Sequence, residues 1–361
     1  MSQAGTSNSG AFPAPPADLA AFIAGLPKAE LHVHLEGAIS PDQRRRIALR
    51  NGLPPDSPLA GWEYDTTTTD PAAYLAKFLA AQFDCCSVLK TEQDFSDIAY
   101  EFLEQSHLDK VIYVELMFDP QTHTNRGVSI SVVIQGIDDG RRRARAAFGI
   151  ECNLIMCINR ERSAEEAFEL IEMARPYRDR LTGIGLDCGE AGNPPIKFKD
   201  VYALARAEGY RLTAHCDAGQ AHSATHIWQC VEILRCERID HGNNAVEDRR
   251  LMDRIGADGI VLACCPTWRP IDAKPRRLDT IRPLYDYGLK VTVNTDDPGL
   301  FTSGYMGKML PPVAASGNFD AKDMVRLMLN AIEGSWATPE QKTTLAARVN
   351  AYAAAYDGGR G

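Results

Sequence analysis

The chain has 361 residues, a formal net charge of −9 and a pI near 5.5, with 45% hydrophobic and 24% charged side chains. That supplies enough apolar material for one large compact core, and the acidic balance excludes a general phosphate-backbone binder, which needs a basic face to displace counterions. No run reaches the roughly 18 uninterrupted apolar residues of a membrane-spanning helix.

Residues 1–16 are rich in Ser, Gly, Ala and Pro and lack a basic segment followed by an apolar run. They read as a disordered lead-in and not as a secretory signal, leaving 17–361 as a single domain. Ten cysteines are scattered, two pairs of them adjacent (Cys85-Cys86 and Cys264-Cys265), with neither a disulfide framework nor a Cys-x-x-Cys knuckle. A reducing cytoplasm is the expected location.

From there short β-branched segments alternate with longer stretches of helical spacing, the pattern of a parallel sheet covered by helices. Strands are expected near Glu30–Glu36, Val111–Asp119, Glu151–Asn159, Thr182–Asp187, Arg211–Asp217, Arg238–His241, Gly259–Cys265 and Lys290–Asp296, with helices at Glu92–Leu108, Ala164–Ala174, Phe198–Ala207 and His226–Leu234. Eight such units predict the α/β class, a (β/α)₈ TIM barrel, and the long insert Pro41–Lys90 after the first strand predicts extra helices over its mouth.

A barrel enzyme keeps its chemistry at the C-terminal ends of its strands. His32 and His34 lie in the first expected strand, His215 and Asp217 end the fifth, His241 ends the sixth and Asp296-Asp297 end the eighth. Two histidines one residue apart project from the same face of a strand and can close on one cation. Alone, that pair does not distinguish ligands from hydrogen-bonded core histidines. With His215 and Asp296 on equivalent tips, three imidazoles and a carboxylate leave an open position for water, as a catalytic zinc-type site requires.

Leu26-Pro-Lys-Ala-Glu-Leu-His-Val-His-Leu-Glu-Gly-Ala-Ile39, Arg238-Ile-Asp-His-Gly242 and Val291-Thr-Val-Asn-Thr-Asp-Asp-Pro298 resemble the defining segments of the adenosine deaminase family of the amidohydrolase superfamily. Thr91-Glu-Gln-Asp-Phe95, Phe118-Asp-Pro-Gln-Thr-His-Thr124 and Gly185-Leu-Asp187 followed by Glu190 are similar to its adenine deaminase branch. The resemblance implies that His32, His34, His215 and Asp296 ligate one divalent metal, Zn²⁺ or else Fe²⁺ or Mn²⁺. It further implies that His241 orients and deprotonates the attacking water and that Asp297 hydrogen-bonds a purine ring nitrogen; for Asp297 the alternative is a turn residue before Pro298.

The chain also departs from the family. There the fifth-strand His is followed by Ala-Gly-Glu, whose Glu protonates the ring nitrogen beside the attacked carbon; here the segment is His215-Cys-Asp-Ala-Gly-Gln220. Losing a general acid costs about 10²–10⁴-fold. Asp217 is the expected substitute, with capping of the loop as the alternative. The loop that follows is about two residues longer than in relatives and carries His222 and His226, the latter expected to face solvent at a helix start. Cys265-Pro-Thr-Trp-Arg-Pro270 replaces Cys-Pro-Leu-Ser-Asn, which predicts Trp268 and Arg269 at the pocket rim, suited to a flat or anionic ligand. Cys188-Gly189 replaces a Ser-Ser pair, Glu190 keeps a carboxylate for the edge of a purine base, and Glu36 stands where nucleoside deaminases carry an Asp for the sugar hydroxyl, favouring a free base.

The expected activity is hydrolytic deamination of an adenine-like or related amino-substituted heterocycle. The alternatives are an amidohydrolase of altered chemistry acting on a cyclic amide or modified purine, and a catalytically silent ligand-binding protein. The expected partner is a small heterocyclic substrate, with no nucleic acid and no membrane; homo-oligomerisation is left open.

Overall fold

The computed structural model describes residues 13–54, 68–217, 219–267, 276–301 and 303–358. Of the expected lead-in, residues 1–12 therefore lie outside the described residues, and the first helix begins at Ala17. Eight parallel strands follow one another around the sheet in chain order: β1 (Lys28–His34), β2 (Val111–Phe118), β3 (Glu151–Asn159), β4 (Gly183–Asp187), β5 (Arg211–Cys216), β6 (Arg238–His241), β7 (Val261–Cys264) and β8 (Lys290–Val293). The ring closes from last to first: His34 N donates to Asp296 O at 2.8 Å, Asp296 N to His32 O at 3.3 Å, and Leu31 N to Asn294 Oδ1 at 2.7 Å. This is the expected (β/α)₈ barrel.

Alternation along the strands sorts the side chains. Leu116, Leu154, Met156, Leu186, Ala214, Ile239, Leu262 and Val291 are buried in one continuous apolar core with the surrounding helices, each large aliphatic side chain contributing about 1.5–3 kcal/mol. The alternate positions carry the polar residues. At the N-terminal end of the barrel Arg238 and Glu115, both fully buried, hydrogen-bond to each other. Trp336 lies against them, its ring centroid 4.2 Å from the Arg238 guanidinium and its backbone N–H donating to Glu115. Tyr113 Oη donates to the same carboxylate at 2.7 Å.

The insert after β1 forms helices Pro41–Arg50 and Pro71–Cys86, started by Ser40 and Asp70, whose side chains accept from Gln43 N and Ala73 N. The second lies over the mouth, as the length of the insert predicts: Phe78 stacks on Phe301 with ring centroids 4.9 Å apart. Helices Glu92–Leu108 and Ala164–Ala174 match their expected bounds because each opens with a capping box, Thr91 with Asp94 and Ser163 with Glu166.

Strand bounds shift by one to three residues, β7 starting at Val261 and not Gly259 and β8 ending at Val293 and not Asp296. β1 starts at Lys28, two residues earlier than expected, because the charged Lys28 is buried with its Nζ donating to Leu26 O at 2.9 Å and Asp109 O at 2.8 Å. The single helix expected over His226–Leu234 is an α-helix at Ser223–Gln229 running into a π turn at Cys230–Leu234. Among the described residues no helix is long and apolar enough to cross a membrane.

Candidate metal centre and active-site cavity

The strand tips at the barrel mouth converge on one point. His34 Nε2 and His215 Nε2 are 3.0 Å apart, His32 Nε2 is 3.2 Å from Asp296 Oδ1, and His34 Nε2 is 3.9 Å from that same oxygen. His32, His34 and His215 each offer a ligand nitrogen within 4.8 Å of the others. The opposite ring nitrogens face carboxylates. His32 Nδ1 and His215 Nδ1 lie 3.4 Å and 3.5 Å from the two oxygens of Asp240, and His34 Nδ1 lies 3.7 Å from Asp187 and 3.8 Å from Asp119. A carboxylate behind Nδ1 holds the proton there and turns the Nε2 lone pair toward the common point, which is how metal-ligating histidines are oriented. Two Nε2 atoms 3.0 Å apart, with the Asp296 carboxylate beside them, form a donor set that suits a divalent metal.

Closure of the barrel is what delivers Asp296, which follows β8 in a left-handed conformation (φ 64°). His241, at the end of β6, is also left-handed (φ 61°) and is followed by Gly242 (φ 71°). Such backbone strain is tolerated where the surroundings fix it and is concentrated at functional sites. Burial, reinforced by His32 and Arg277 against the pull of Asp296, lowers His241 to about 3. The imidazole is therefore neutral at physiological pH. Burial and His32 likewise hold His215 well below the ordinary range. Burial and the neighbouring Asp119 push Asp187 well above the usual carboxylate range.

Over this point lies a cavity of about 280 Å³. Its roof is Tyr74, Leu75, Phe78 and Leu79 of the cap helix, and its polar wall includes Asp187, Glu190, Asp217, Gln220, Arg277 and Asp297. Asp297 is anchored by the cap, Gln82 Nε2 donating to its Oδ1 at 2.8 Å. A Cβ on Gly37 would sit 1.7 Å from that oxygen, so the Gly after Glu36 makes room for the carboxylate. Burial and Asp296 push Asp297 well above the usual range.

Of the residues singled out in the sequence, His32, His34, His215, Asp296, His241, Asp297, Asp217 and Glu190 come together around the cavity. Asp217 faces it, with its carboxylate hydrogen-bonded to the Arg277 guanidinium. Glu190 is also tied down: Oε1 accepts from Asp217 N at 2.6 Å, and Oε2 lies 3.3 Å from His226 Nδ1. That corrects the expectation for His226, which is buried on the inner face of its short helix and does not face solvent. Glu36 and Gly189 are not among the cavity-lining residues. Glu36 Oε1 accepts from His123 Nε2 at 2.8 Å and from Asp119 N at 3.1 Å, while Gly189 backs onto Glu161. Trp268 and Arg269 lie outside the described residues.

Sequence reading missed Asp240, Asp119, Asp187, Gln82, Gln220 and Arg277. Asp240 sits inside the motif Arg238-Ile-Asp-His-Gly242 two residues from Arg238, and that period marks it as inward-facing. Gln220 ends Ala218-Gly219-Gln220, the family's Ala-Gly-Glu moved by two positions with an amide for the acid. Nothing local in the sequence signals Arg277.

A (β/α)₈ barrel with three imidazoles and a carboxylate converging at its mouth is the architecture of a metal-dependent hydrolase. The adenosine deaminase family model matches residues 27–352. An adenine deaminase from Rhodospirillum rubrum is 38% identical over 340 residues, covering 92% of this chain and 98% of its own. An uncharacterized deaminase from Schizosaccharomyces pombe is also 38% identical, covering 94% and 99%. In three dimensions the adenine deaminase of Arthrobacter aurescens matches with a TM-score of 0.81 at 32% identity, covering 91% of this chain and 99% of its own. An amidohydrolase from Burkholderia ambifaria with bound Zn matches with a TM-score of 0.82 at 28% identity over 97% of each chain. The chain belongs to the adenosine deaminase family and is a metal-dependent hydrolase of that type.

Proposed function

We propose that residues 17–361 form a single-domain aminohydrolase that removes the amino group of an adenine-like or related heterocycle and releases ammonia. The observation that carries this reading is the convergence of His32, His34 and His215 Nε2 with Asp296 Oδ1 beside a neutral His241, in a chain of this family. The relatives named adenine deaminases support an adenine-like substrate. The Zn bound by the Burkholderia amidohydrolase supports zinc ahead of iron or manganese, which the same donors accept.

In this reading His32, His34, His215 and Asp296 hold the metal. When bound, it supplies a water acidified to near-neutral pKa. His241 orients that water and takes its proton, and Asp297, braced by Gln82, meets a ring nitrogen on the far side of the heterocycle. A free base fits better than a nucleoside, since Glu36 lies off the cavity lining, buried with its Oε1 accepting from His123 and Asp119 N.

The test is ammonia release by purified, metal-loaded protein from aminopurines, aminopterins and aminopyrimidines. Turnover of an aminopurine, lost on chelation and restored by Zn²⁺, is expected. Hydrolysis of a cyclic amide with no ammonia from any aminopurine would overturn the reading in favour of altered amidohydrolase chemistry.

A further inference from the structure

Attack of water on a ring carbon pushes an electron pair onto the neighbouring ring nitrogen, and that charge needs a partner in the transition state. The Glu expected there is absent, and the carboxylate expected to replace it, Asp217, is engaged by Arg277. The Asp217 carboxylate accepts from the guanidinium, and Arg277 itself stands on the cavity wall beside it.

We propose that Arg277 is a catalytic residue whose guanidinium donates to the ring nitrogen beside the attacked carbon and stabilises the negative charge formed there, with Asp217 as the positioning residue that aims it. This rests on the deaminase reading. Arg277 is the only Arg or Lys among the described residues lining the cavity. One guanidinium nitrogen is 3.2 Å from Asp296 Oδ2, while Asp296 Oδ1 is 3.2 Å from His32 Nε2, so the cation stands one carboxylate away from the point where the ligand atoms converge. The same nitrogen donates to Thr267 Oγ1, and the other terminal nitrogen to Asp217. A guanidinium has five N–H donors, and these three hydrogen bonds leave donors for a substrate. The side chain is thus held from three sides and still able to donate.

The chemistry balances without a general acid. His241 takes one proton of the water as its oxygen bonds to the ring carbon, and the C=N electron pair moves to the ring nitrogen opposite Arg277. That pair then returns to re-form the C=N bond as the carbon–amine bond breaks. The amine leaves as ammonia with the proton from His241, and the hydroxy-heterocycle tautomerises to the lactam. Because a guanidinium only donates, the site selects rings with a bare nitrogen at this position, as in 6-aminopurine, and rejects those with N–H there.

The experiment measures adenine turnover, and the affinities of adenine and 1-deazaadenine, in Zn-loaded wild type, Arg277→Met, Arg277→Lys and Asp217→Asn, with metal content of each. Arg277→Met is expected to lower kcat by about 10²–10³-fold with metal retained, as removal of one charge-stabilising donor does. Wild type should prefer adenine to 1-deazaadenine and Arg277→Met should lose that preference. Arg277→Lys should recover part of both, Asp217→Asn should lose less than Arg277→Met, and kcat should show no acid-dependent fall on the basic side. An Arg277→Met variant that keeps kcat, or keeps the preference for adenine whether or not its metal is lost, would overturn the proposal. So would a wild-type basic limb that disappears in Asp217→Asn. A wild type inert toward every aminopurine is a different result: it ends the deaminase reading itself.

Discussion

The two ends of the barrel are built from the same inward-facing strand positions and handle charge in opposite ways. At the N-terminal end Arg238 and Glu115 meet directly, with Tyr113 and the Trp336 backbone N–H donating to the carboxylate and the Trp336 ring lying against the guanidinium. At the C-terminal end charges are left facing a common space. His32, His34, His215 and Asp296 turn donor atoms toward one another, and Asp297, Asp217 and Arg277 line a cavity. Asp240 stands between the two ends, 3.5 Å from Arg238 Nε and within 3.4–3.5 Å of the Nδ1 atoms of His32 and His215. Opposite charges in direct contact contribute rigidity, whereas donor atoms turned toward a common space are held open for a ligand.

The contrast breaks most completely if the C-terminal donors are removed. His34→Ala should abolish both bound metal and ammonia release, with the circular dichroism of the folded chain preserved; a histidine of purely structural role would instead cost stability and leave metal stoichiometry intact. His241→Ala separates binding from chemistry, since metal should be retained while kcat falls by about 10²–10⁴-fold; metal loss equal to that of His34→Ala would make His241 a ligand. Asp240→Asn, at the junction, should weaken metal affinity by about 10–100-fold in competition with a chelator, as loss of a carboxylate behind a ligating histidine does. At the N-terminal end, Glu115→Gln should lower unfolding free energy by about 3 kcal/mol, because it removes the carboxylate in direct contact with the buried Arg238 charge and leaves only Asp240, 3.5 Å from its Nε, as counter-ion. Metal content of its folded fraction should match wild type, and a larger effect on metal than on stability would dissolve the distinction between the ends.

The smallest effect concerns Glu30, below His32 on β1. Burial, offset by hydrogen bonds from Thr295, pushes its carboxyl up to about 7. The folded state then keeps a proton that the unfolded chain has lost, so this group's contribution to stability falls as pH rises from about 4.5 to 7. Glu30→Gln should flatten stability against pH across that window by on the order of 2–3 kcal/mol, read from denaturation midpoints. Identical slopes in the two proteins would place Glu30 outside the linkage.

Much of the site was legible because its residues carry strong local signals. His32 and His34 share one strand face by period alone, and His215, His241 and Asp296 fall at the ends of apolar runs. Residues whose role depends on a partner elsewhere were not legible. Arg277 is one of several basic residues in Lys274-Pro-Arg-Arg277 until the fold sets it against Asp217 and Asp296. His226 looks like a polar helix-start residue until Glu190 of the β4 loop appears beneath it. Glu36 resembles a substrate contact until His123, 87 positions away, occupies it.

Periodicity, turn residues and motif spacing were thus sufficient to determine the barrel, the cap over its mouth and which imidazoles and carboxylate sit on the strand tips, because each is encoded within one strand and its following loop. The tertiary structure decided which carboxylates are committed and which face the cavity, that Asp240 stands behind His32 and His215, and that the Arg277 guanidinium is set against the carboxylate expected to act as the acid. The physical reason is that hydrogen bonding and desolvation are properties of pairs. A sequence specifies each member of a pair, and only closure of β8 onto β1, with the loops folded over the mouth, specifies the distance between them.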